Sequence, residues 1–302
     1  MAEPTKIAIV GAGTIGLSFV KLHFAHSPKP VTITIFDIRP DLEEYVSSSL
    51  QNAYRKDPSS TVKCTKSLAE AVSDASIVEE QGPENLAFKA KIWPEIEKLA
   101  PATALFWSST SGIPASAQSK DMKNPSRLLV VHPYNPPHIM PLLEVVPSPS
   151  TSQHVIDRTL QYWKALGRAP VVIKQECTGF VANRLAFVLL REAIHLVKEG
   201  IVTVEELDEI VESSMGPRWA VAGPFKSYHA GGGEGGLEAF FANIGGTVQQ
   251  CWDASGRPNV GDGWEEDVFR QTKDAYGVVD TTARDRTTKS VLDVVKEEKL
   301  KK

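Results

Sequence analysis

The stretch Gly11-Ala-Gly13-Thr14-Ile15-Gly16, set directly behind the apolar run Lys6-Ile-Ala-Ile-Val10, restricts the fold more than any other part of the chain. The run is short and rich in β-branched residues, the pattern of a strand buried on both faces of a parallel sheet. Leu17, Val20, Leu22 and Phe24 follow in a segment suited to a helix with a buried face, which Pro28 and Pro30 end. Val31-Thr-Ile-Thr-Ile-Phe then reads as a second strand and runs into Asp37. In this unit Gly11 makes the tight turn, Gly13 lets a pyrophosphate come close to the backbone, and Gly16 lets the helix pack on the strand. Thr14 and Ile15 stand at the helix N-terminus, where free N–H groups and the positive end of the dipole suit phosphate. Asp37 lies where a carboxylate accepts hydrogen bonds from ribose hydroxyls and repels a 2′-phosphate, which points to NAD over NADP. A lone glycine turn of this type says little; here strand, turn, helix, second strand and terminal acid all occur in one unit. Arg39, two residues past Asp37, leaves some affinity for a 2′-phosphate open, its plainer role being a surface arginine against adenine.

Helical and extended segments go on alternating. Helices are expected over Asp41–Arg55, Ser67–Ser73, Glu84–Leu99 and Ser152–Leu166. Strands are expected at Val62–Thr65, Ala75–Glu79, Ala104–Trp107, Arg127–Val131, Leu142–Val146 and Pro170–Lys174. Such alternation gives an α/β fold, a Rossmann-type, mostly parallel sheet with helices on both faces and ligands outside the carboxyl ends of the strands. Near residue 180 the character changes: Phe180–Glu199 and Val204–Ser214 read as helices, and no strand pattern follows. The division expected is an NAD-binding domain over 1–182 and an all-helical substrate and dimerisation domain over 183–302. Ala230-Gly-Gly-Gly-Glu-Gly-Gly236 has no strand before it and reads as a loop between helices.

With 302 residues, 42% hydrophobic and 23% charged, the chain has the profile of a folded soluble protein. A net charge of −4 gives no electrostatic reason to expect nucleic acid or anionic membrane as a partner. The three cysteines are far apart, with no metal-ligand spacing, so neither a disulfide framework nor a metal site is expected. No apolar run is long enough to span a bilayer and no leader pattern precedes the first strand, so the expected location is cytoplasmic.

Arg127-Leu-Leu-Val-Val131 ends in His132, and an apolar strand 12 residues on contains Glu144. Removing a hydride from a secondary alcohol requires a base for the hydroxyl proton, and histidine has the best-matched pKa. A carboxylate on a neighbouring strand fixes the imidazole tautomer, and an acid within Leu-Leu-Glu-Val-Val needs a partner if it is buried. The plainer reading is a structural histidine at a strand end.

GAGTIG with Asp37, Glu80-x-x-x-Glu84-Asn85, Ser108-Ser-Thr-Ser111, His132-Pro-Tyr-Asn135-Pro-Pro, Glu144-Val-Val-Pro and Gly179-Phe-Val-Ala-Asn183-Arg occur in that order. As a set they resemble the 3-hydroxyacyl-CoA dehydrogenases and their relatives acting on short acids. The resemblance implies His132 as base with Glu144 as its orienting partner, and Ser111 and Asn183 as ligands of the substrate oxygen. It further implies that Asn135 helps hold histidine and substrate and that Glu84 lies near the nicotinamide ribose. A helix cap at Asn183 and a turn residue at Ser111 remain the structural alternatives. A homodimer formed through the helical domain is also implied.

QGPENLAFKAKIWPEIEKL and HPYNPPHIMPLLEVVP resemble the branch that holds L-gulonate 3-dehydrogenase and lambda-crystallin. Gly216-Pro-Arg218-Trp-Ala, Gly223-Pro-Phe and Tyr228-His229 resemble that branch and carnitine 3-dehydrogenase alike. Acyl-CoA members carry a longer, lysine-rich insertion between the second and third strands, and here that stretch is shorter and not strongly basic. The expected substrate is therefore a small free 3-hydroxy acid, gulonate-like or carnitine-like, oxidised to the 3-keto acid. Arg218 is the candidate cation for its carboxylate, since a planar guanidinium suits bidentate binding, with a surface or capping arginine as the alternative. Trp219, Phe225 and Tyr228 are candidates for a trimethylammonium group or for plain core packing. Three rivals stay open: a 3-hydroxyacyl-CoA dehydrogenase, a non-catalytic NAD-binding structural protein of crystallin type, and an NADPH-dependent reductase.

Overall fold

The computed structural model describes residues 4–301. The chain divides into two compact units, one ending at Arg184 and the other beginning at Leu185. In the first the order is β1 (Thr5–Val10), α1 (Thr14–His26), β2 (Val31–Phe36), α2 (Leu42–Leu50), β3 (Thr61–Thr65), α3 (Leu68–Val72) and β4 (Ile77–Glu80). It continues with α4 (Leu86–Leu99), β5 (Leu105–Ser108), α5 (Ala115–Gln118), β6 (Leu128–Pro133), β7 (Leu142–Pro147), α6 (Gln153–Ala165) and β8 (Ala169–Val172). The strands form one sheet in the order β3-β2-β1-β4-β5-β6-β7-β8. All neighbours are parallel except β6 and β7, which run antiparallel.

Alternation along each strand divides the core between the two faces. Ile7, Ile9, Trp107, Leu129 and Val131 pack on one side with residues of α1, α2 and α6. Ala8, Val10, Phe106, Leu128 and Val130 pack on the other with residues of α3, α4 and Phe180. Each fully buried Ile, Leu, Val or Phe among them contributes about 1.5–3 kcal/mol before the entropy of ordering is set against it. Two of the buried indoles satisfy their N–H groups, Trp107 donating to Thr159 Oγ1 at 2.9 Å and Trp93 to Gln118 Oε1 at 3.0 Å, while the equally buried Trp163 N–H has no partner among the described residues.

Several element boundaries differ from the pattern-based expectations for physical reasons. The helix expected over Asp41–Arg55 stops at Leu50, because Leu42, Val46 and Leu50 form the buried stripe and Tyr54 is exposed. The helix expected to start at Phe180 starts at Ala182, since Gly179 and Phe180 both take positive φ, +74° and +50°.

The second unit continues α7 (Ala182–Lys198) and contains α8 (Val204–Ser213), α9 (Met215–Val221), α10 (Pro224–Gly231), α11 (Gly236–Ala254), α12 (Glu265–Tyr276) and α13 (Thr281–Leu300). Thr203 and Glu206 close α8 with a reciprocal capping box. The glycine run expected as a loop is mostly helical: Ala230 and Gly231 end α10, and Gly233–Gly235 forms a 3-10 turn leading into α11. Small residues are needed there, because a Cβ on Gly232 would lie 1.7 Å from the Gly236 carbonyl oxygen. No strand follows β8 among the described residues, and no helix among them is long and apolar enough to cross a membrane.

Candidate active site

The antiparallel pairing of β6 and β7 sets His132 directly opposite Glu144. Directly opposed residues in such a pair point to the same face, and here that face is the one that carries Val130, Val146 and Phe180. Both side chains are buried, and His132 Nδ1 lies 2.8 Å from Glu144 Oε2. The other carboxylate oxygen, Oε1, accepts the backbone N–H groups of Val181 at 2.9 Å and Ala182 at 3.0 Å. Those amides face Glu144 at the start of α7, just after the left-handed turn at Gly179-Phe180. Phe180 accepts a cost of about 1–2 kcal/mol for a conformation that side chains disfavour. Its ring is fully buried, 5.3 Å from that of His132. Burial pushes the Glu144 carboxyl up, but the His132 bond and the amides of Ala182 and Val181 outweigh it and hold the group below its ordinary value. With Nδ1 engaged by a carboxylate, Nε2 is left to exchange a proton with a bound alcohol.

A group whose pKa is depressed by folding stabilises the fold above its unfolded pKa and ceases to do so as pH falls through its folded value. Glu144→Gln is therefore expected to lower the melting temperature at neutral pH and to converge with the parent below the ordinary carboxylate value of about 4.3. Thermal unfolding across a pH series checks this; a constant difference at every pH would refute it.

Two loops and the first turn of α7 meet beside the dyad. Glu84 Oε1 accepts Thr110 Oγ1–H at 2.5 Å and the Ser111 amide at 3.0 Å. Asn183 Nδ2 donates to the Ser111 carbonyl at 3.4 Å, so Glu84, Ser111 and Asn183 are brought together. The Ser111 side chain is exposed, free to meet a ligand. Asn135 is exposed in the hairpin loop between β6 and β7, and among the described residues it makes no hydrogen bond to His132. Arg218 belongs to the second unit, exposed on α9.

Sequence reasoning missed what fastens these loops. The Glu80 carboxylate, at the end of β4, accepts Lys89 Nζ at 2.9 and 2.7 Å, Ser108 Oγ at 3.0 Å and the Gly82 amide at 2.7 Å. Glu80 and Lys89 are 0% and 1% exposed, a fully buried ion pair. The signal lay in α4, where Lys89 falls on the stripe of Ile92, Trp93 and Ile96, an apolar position that a lysine occupies only with a partner.

The cofactor end fits a dinucleotide. Gly13 caps α1 without any side-chain bond, and a Cβ built there meets nothing within 4 Å, so the helix N-terminus is open to an approaching phosphate. Gly16 has no such freedom, since its Cβ would lie 2.2 Å from the Gly11 carbonyl oxygen. The Asp37 carboxylate accepts the Ala12 amide at 2.7 Å and the Arg39 amide at 2.9 Å, which sets it beside the glycine turn. The Arg39 guanidinium stacks 3.4 Å above the Tyr45 ring and pairs with Asp41 at 2.8 Å, so it is held away from the free role that a 2′-phosphate would need. Among the described residues no cluster of His, Cys, Asp or Glu is arranged to hold a metal.

Comparison with known proteins gives consistent matches. The NAD-binding domain of 3-hydroxyacyl-CoA dehydrogenase matches residues 6–177, and the C-terminal domain of the same enzymes matches residues 179–254. An L-carnitine dehydrogenase of Oceanobacillus iheyensis is 33% identical over 274 residues, covering 88% of each chain. A 3-hydroxyacyl-CoA dehydrogenase of Gibberella moniliformis is 32% identical over 288 residues, covering 90% of this chain and 83% of its own. The crystal structure of 5-formyl-3-hydroxy-2-methylpyridine 4-carboxylic acid 5-dehydrogenase, an NAD+-dependent dismutase, superposes with a TM-score of 0.81 at 27% identity, covering 97% of this chain and 99% of its own.

Proposed function

We propose that this chain, which belongs to the 3-hydroxyacyl-CoA dehydrogenase family, oxidises the 3-hydroxyl of a small free 3-hydroxy acid to the 3-keto acid with His132 as general base. It is an NAD-dependent dehydrogenase acting on a CH–OH group. The observation that carries the proposal is the His132–Glu144 pair at 2.8 Å, with the second carboxylate oxygen held by two backbone amides. A second buried imidazole–carboxylate pair, His23 and Glu79 at 3.0 Å, lies outside this site, so what supports a catalytic role for His132 is its position at the carboxyl end of its strand, beside an exposed serine. NAD, when bound, supplies the acceptor for the C3 hydride. His132 Nε2 takes the hydroxyl proton, and Glu144 fixes the tautomer and stabilises the imidazolium that results. Ser111 and Asn183 hydrogen-bond the substrate oxygen, Glu84 lies near the nicotinamide ribose, and Asn135 helps to hold the histidine and the substrate in place.

A free acid is favoured over a CoA thioester because the connection from β2 to β3 is short and carries no lysine-rich insertion, so CoA lacks a handle. The L-carnitine dehydrogenases among the relatives support a free-acid substrate of carnitine type, while the gulonate alternative rests on the sequence resemblance alone. Incubation with NAD and 3-hydroxybutyrate, L-gulonate or L-carnitine is expected to give NADH in step with a 3-keto acid for at least one of them. No NADH from any free acid would overturn the reading.

Arg218 serves in this proposal as the partner of the substrate carboxylate. Arg218→Ala is expected to raise KM for a carboxylate substrate about tenfold or more, the size of one charge-assisted hydrogen bond, with KM for NAD unchanged. An unaltered KM for the acid would remove Arg218 from the site.

The active species proposed is a cytoplasmic homodimer. In the second unit Ile194 and Val197 are the large hydrophobic residues buried among those described, whereas Phe187, Leu190, Ile210, Phe225 and Phe269 are each more than half exposed. Apolar surface of this extent calls for a covering partner, and a second copy is the simplest one. Sedimentation at micromolar concentration is expected to give twice the chain mass; a clean monomer would contradict it.

A further inference from the structure

Just past β2, the Asp37 carboxylate takes up two backbone donors: Oδ2 accepts the Ala12 amide at 2.7 Å and Oδ1 the Arg39 amide at 2.9 Å. An acid in this position also accepts the 2′-hydroxyl of the adenosine ribose and repels a 2′-phosphate. Without the acid, both amides would be left facing the spot that its oxygens fill. A cation follows two residues on, and a second carboxylate engages it. Arg39 Nε donates to Asp41 Oδ1 at 2.8 Å and Nη2 to Asp41 Oδ2 at 3.1 Å, a two-point fork. The same guanidinium lies 3.4 Å above the centre of the Tyr45 ring, which sets its plane. The Arg39 bond holds the Asp41 carboxyl below its ordinary value, so the pair is charged at neutral pH. Lys66 brings a further cation to this loop, donating to the Pro40 carbonyl at 3.2 Å.

We propose that the loop from Asp37 to Asp41 holds the donors of a 2′-phosphate cradle closed by two carboxylates, and that Asp41, by engaging Arg39, selects NAD over NADP alongside Asp37. Two backbone amides and a planar guanidinium are donors well suited to a phosphate. Asp37 occupies the amides and Asp41 occupies the guanidinium. The Arg39 and Asp41 side chains are 31% and 53% exposed, and an exposed pair of this kind adds little to stability. What the pair decides is where the guanidinium stands, so replacing either residue leaves the fold in place. Removing Asp37 alone frees the amides while the cation stays engaged. Full affinity for a 2′-phosphate therefore requires both acids to go, whatever the substrate.

The test is titration of the enzyme with NADH and with NADPH, followed by the fluorescence of the reduced cofactor, with the ratio of the NADPH Kd to the NADH Kd as readout. Asp37→Ser/Asp41→Asn is expected to show a ratio about tenfold below that of Asp37→Ser alone, the size of one charge-assisted hydrogen bond. Asp41→Asn in the parent should lower the ratio by less, because Asp37 still fills the amides. Arg39→Met added to the double variant should cancel the gain. Arg39→Met in the parent should leave the ratio unchanged, because Asp41 already engages the guanidinium there. A ratio that Asp41→Asn leaves unaltered in both backgrounds would overturn the proposal. A gain that survives Arg39→Met would do the same, by making the lost negative charge the cause instead of the freed guanidinium. A higher ratio for Arg39→Met in the parent would also overturn it, by showing Arg39 already in the service of a phosphate. If the Asp37→Ser variants bound neither cofactor, Asp41→Asn against the parent decides alone: a lower ratio supports the proposal and an equal one contradicts it.

Discussion

Replacing His132 by glutamine is expected to lower kcat by about 10²–10⁴-fold, the range that a positioned general base contributes. The amide keeps the volume of the ring and a hydrogen bond toward Glu144, but it accepts no proton from an alcohol. Cofactor affinity should be unchanged, because the dinucleotide turn lies on β1 and α1 while His132 contacts Glu144 and Phe180. Steady-state turnover and titration with NADH, measured on the same preparation, separate the two quantities. Retained activity would refute the assignment of the base. A joint loss of turnover and cofactor binding would show that the variant had damaged the fold.

The second large effect concerns stability. Lys89→Met leaves the Glu80 carboxylate buried without its counter-ion, and breaking a buried pair on one side costs about 3–5 kcal/mol. At roughly 2–4 °C per kcal/mol for a unit of this size, the melting temperature should fall by about 6–20 °C. The double variant Glu80→Leu/Lys89→Met removes both charges and should recover much of the loss, since a buried pair often contributes little over a well-packed apolar replacement. Ser108 Oγ and the Gly82 amide would then lack their acceptor, which limits the recovery. Thermal unfolding of the parent, both single variants and the double variant closes the cycle. A shift below about 2 °C for Lys89→Met, less than one kcal/mol on the same scale, would show that Glu80 is neutralised by other means.

The first unit was legible because its signals are local. The unit from Lys6 to Asp37 has its turn chemistry, apolar run and terminal acid within one βαβ span, and β1, α1 and β2 form where those residues predict. The same alternation that buries Val130 and Val146 carries His132 and Glu144 to one face, so a period of two was enough to suspect their meeting. The amides of Val181 and Ala182 were invisible, since they act through backbone groups aimed by a left-handed Phe180 that no pattern announces. The Glu80–Lys89 pair was missed for another reason. Its half in α4 is a charged residue on an apolar stripe, an exception that periodicity treats as noise. In the second unit α9 and α10 are short and the glycine run joins elements by close backbone approach, so helix spacing had little length in which to show itself.

The most direct measurement is the rate of NADH formation by the parent enzyme with a free 3-hydroxy acid and with the CoA thioester of the same acid, side by side. The account predicts turnover of the free acid with no gain from CoA, and its loss in His132→Gln. Turnover of the thioester alone would contradict it, and would mean that the short connection from β2 to β3 does not deprive CoA of its handle.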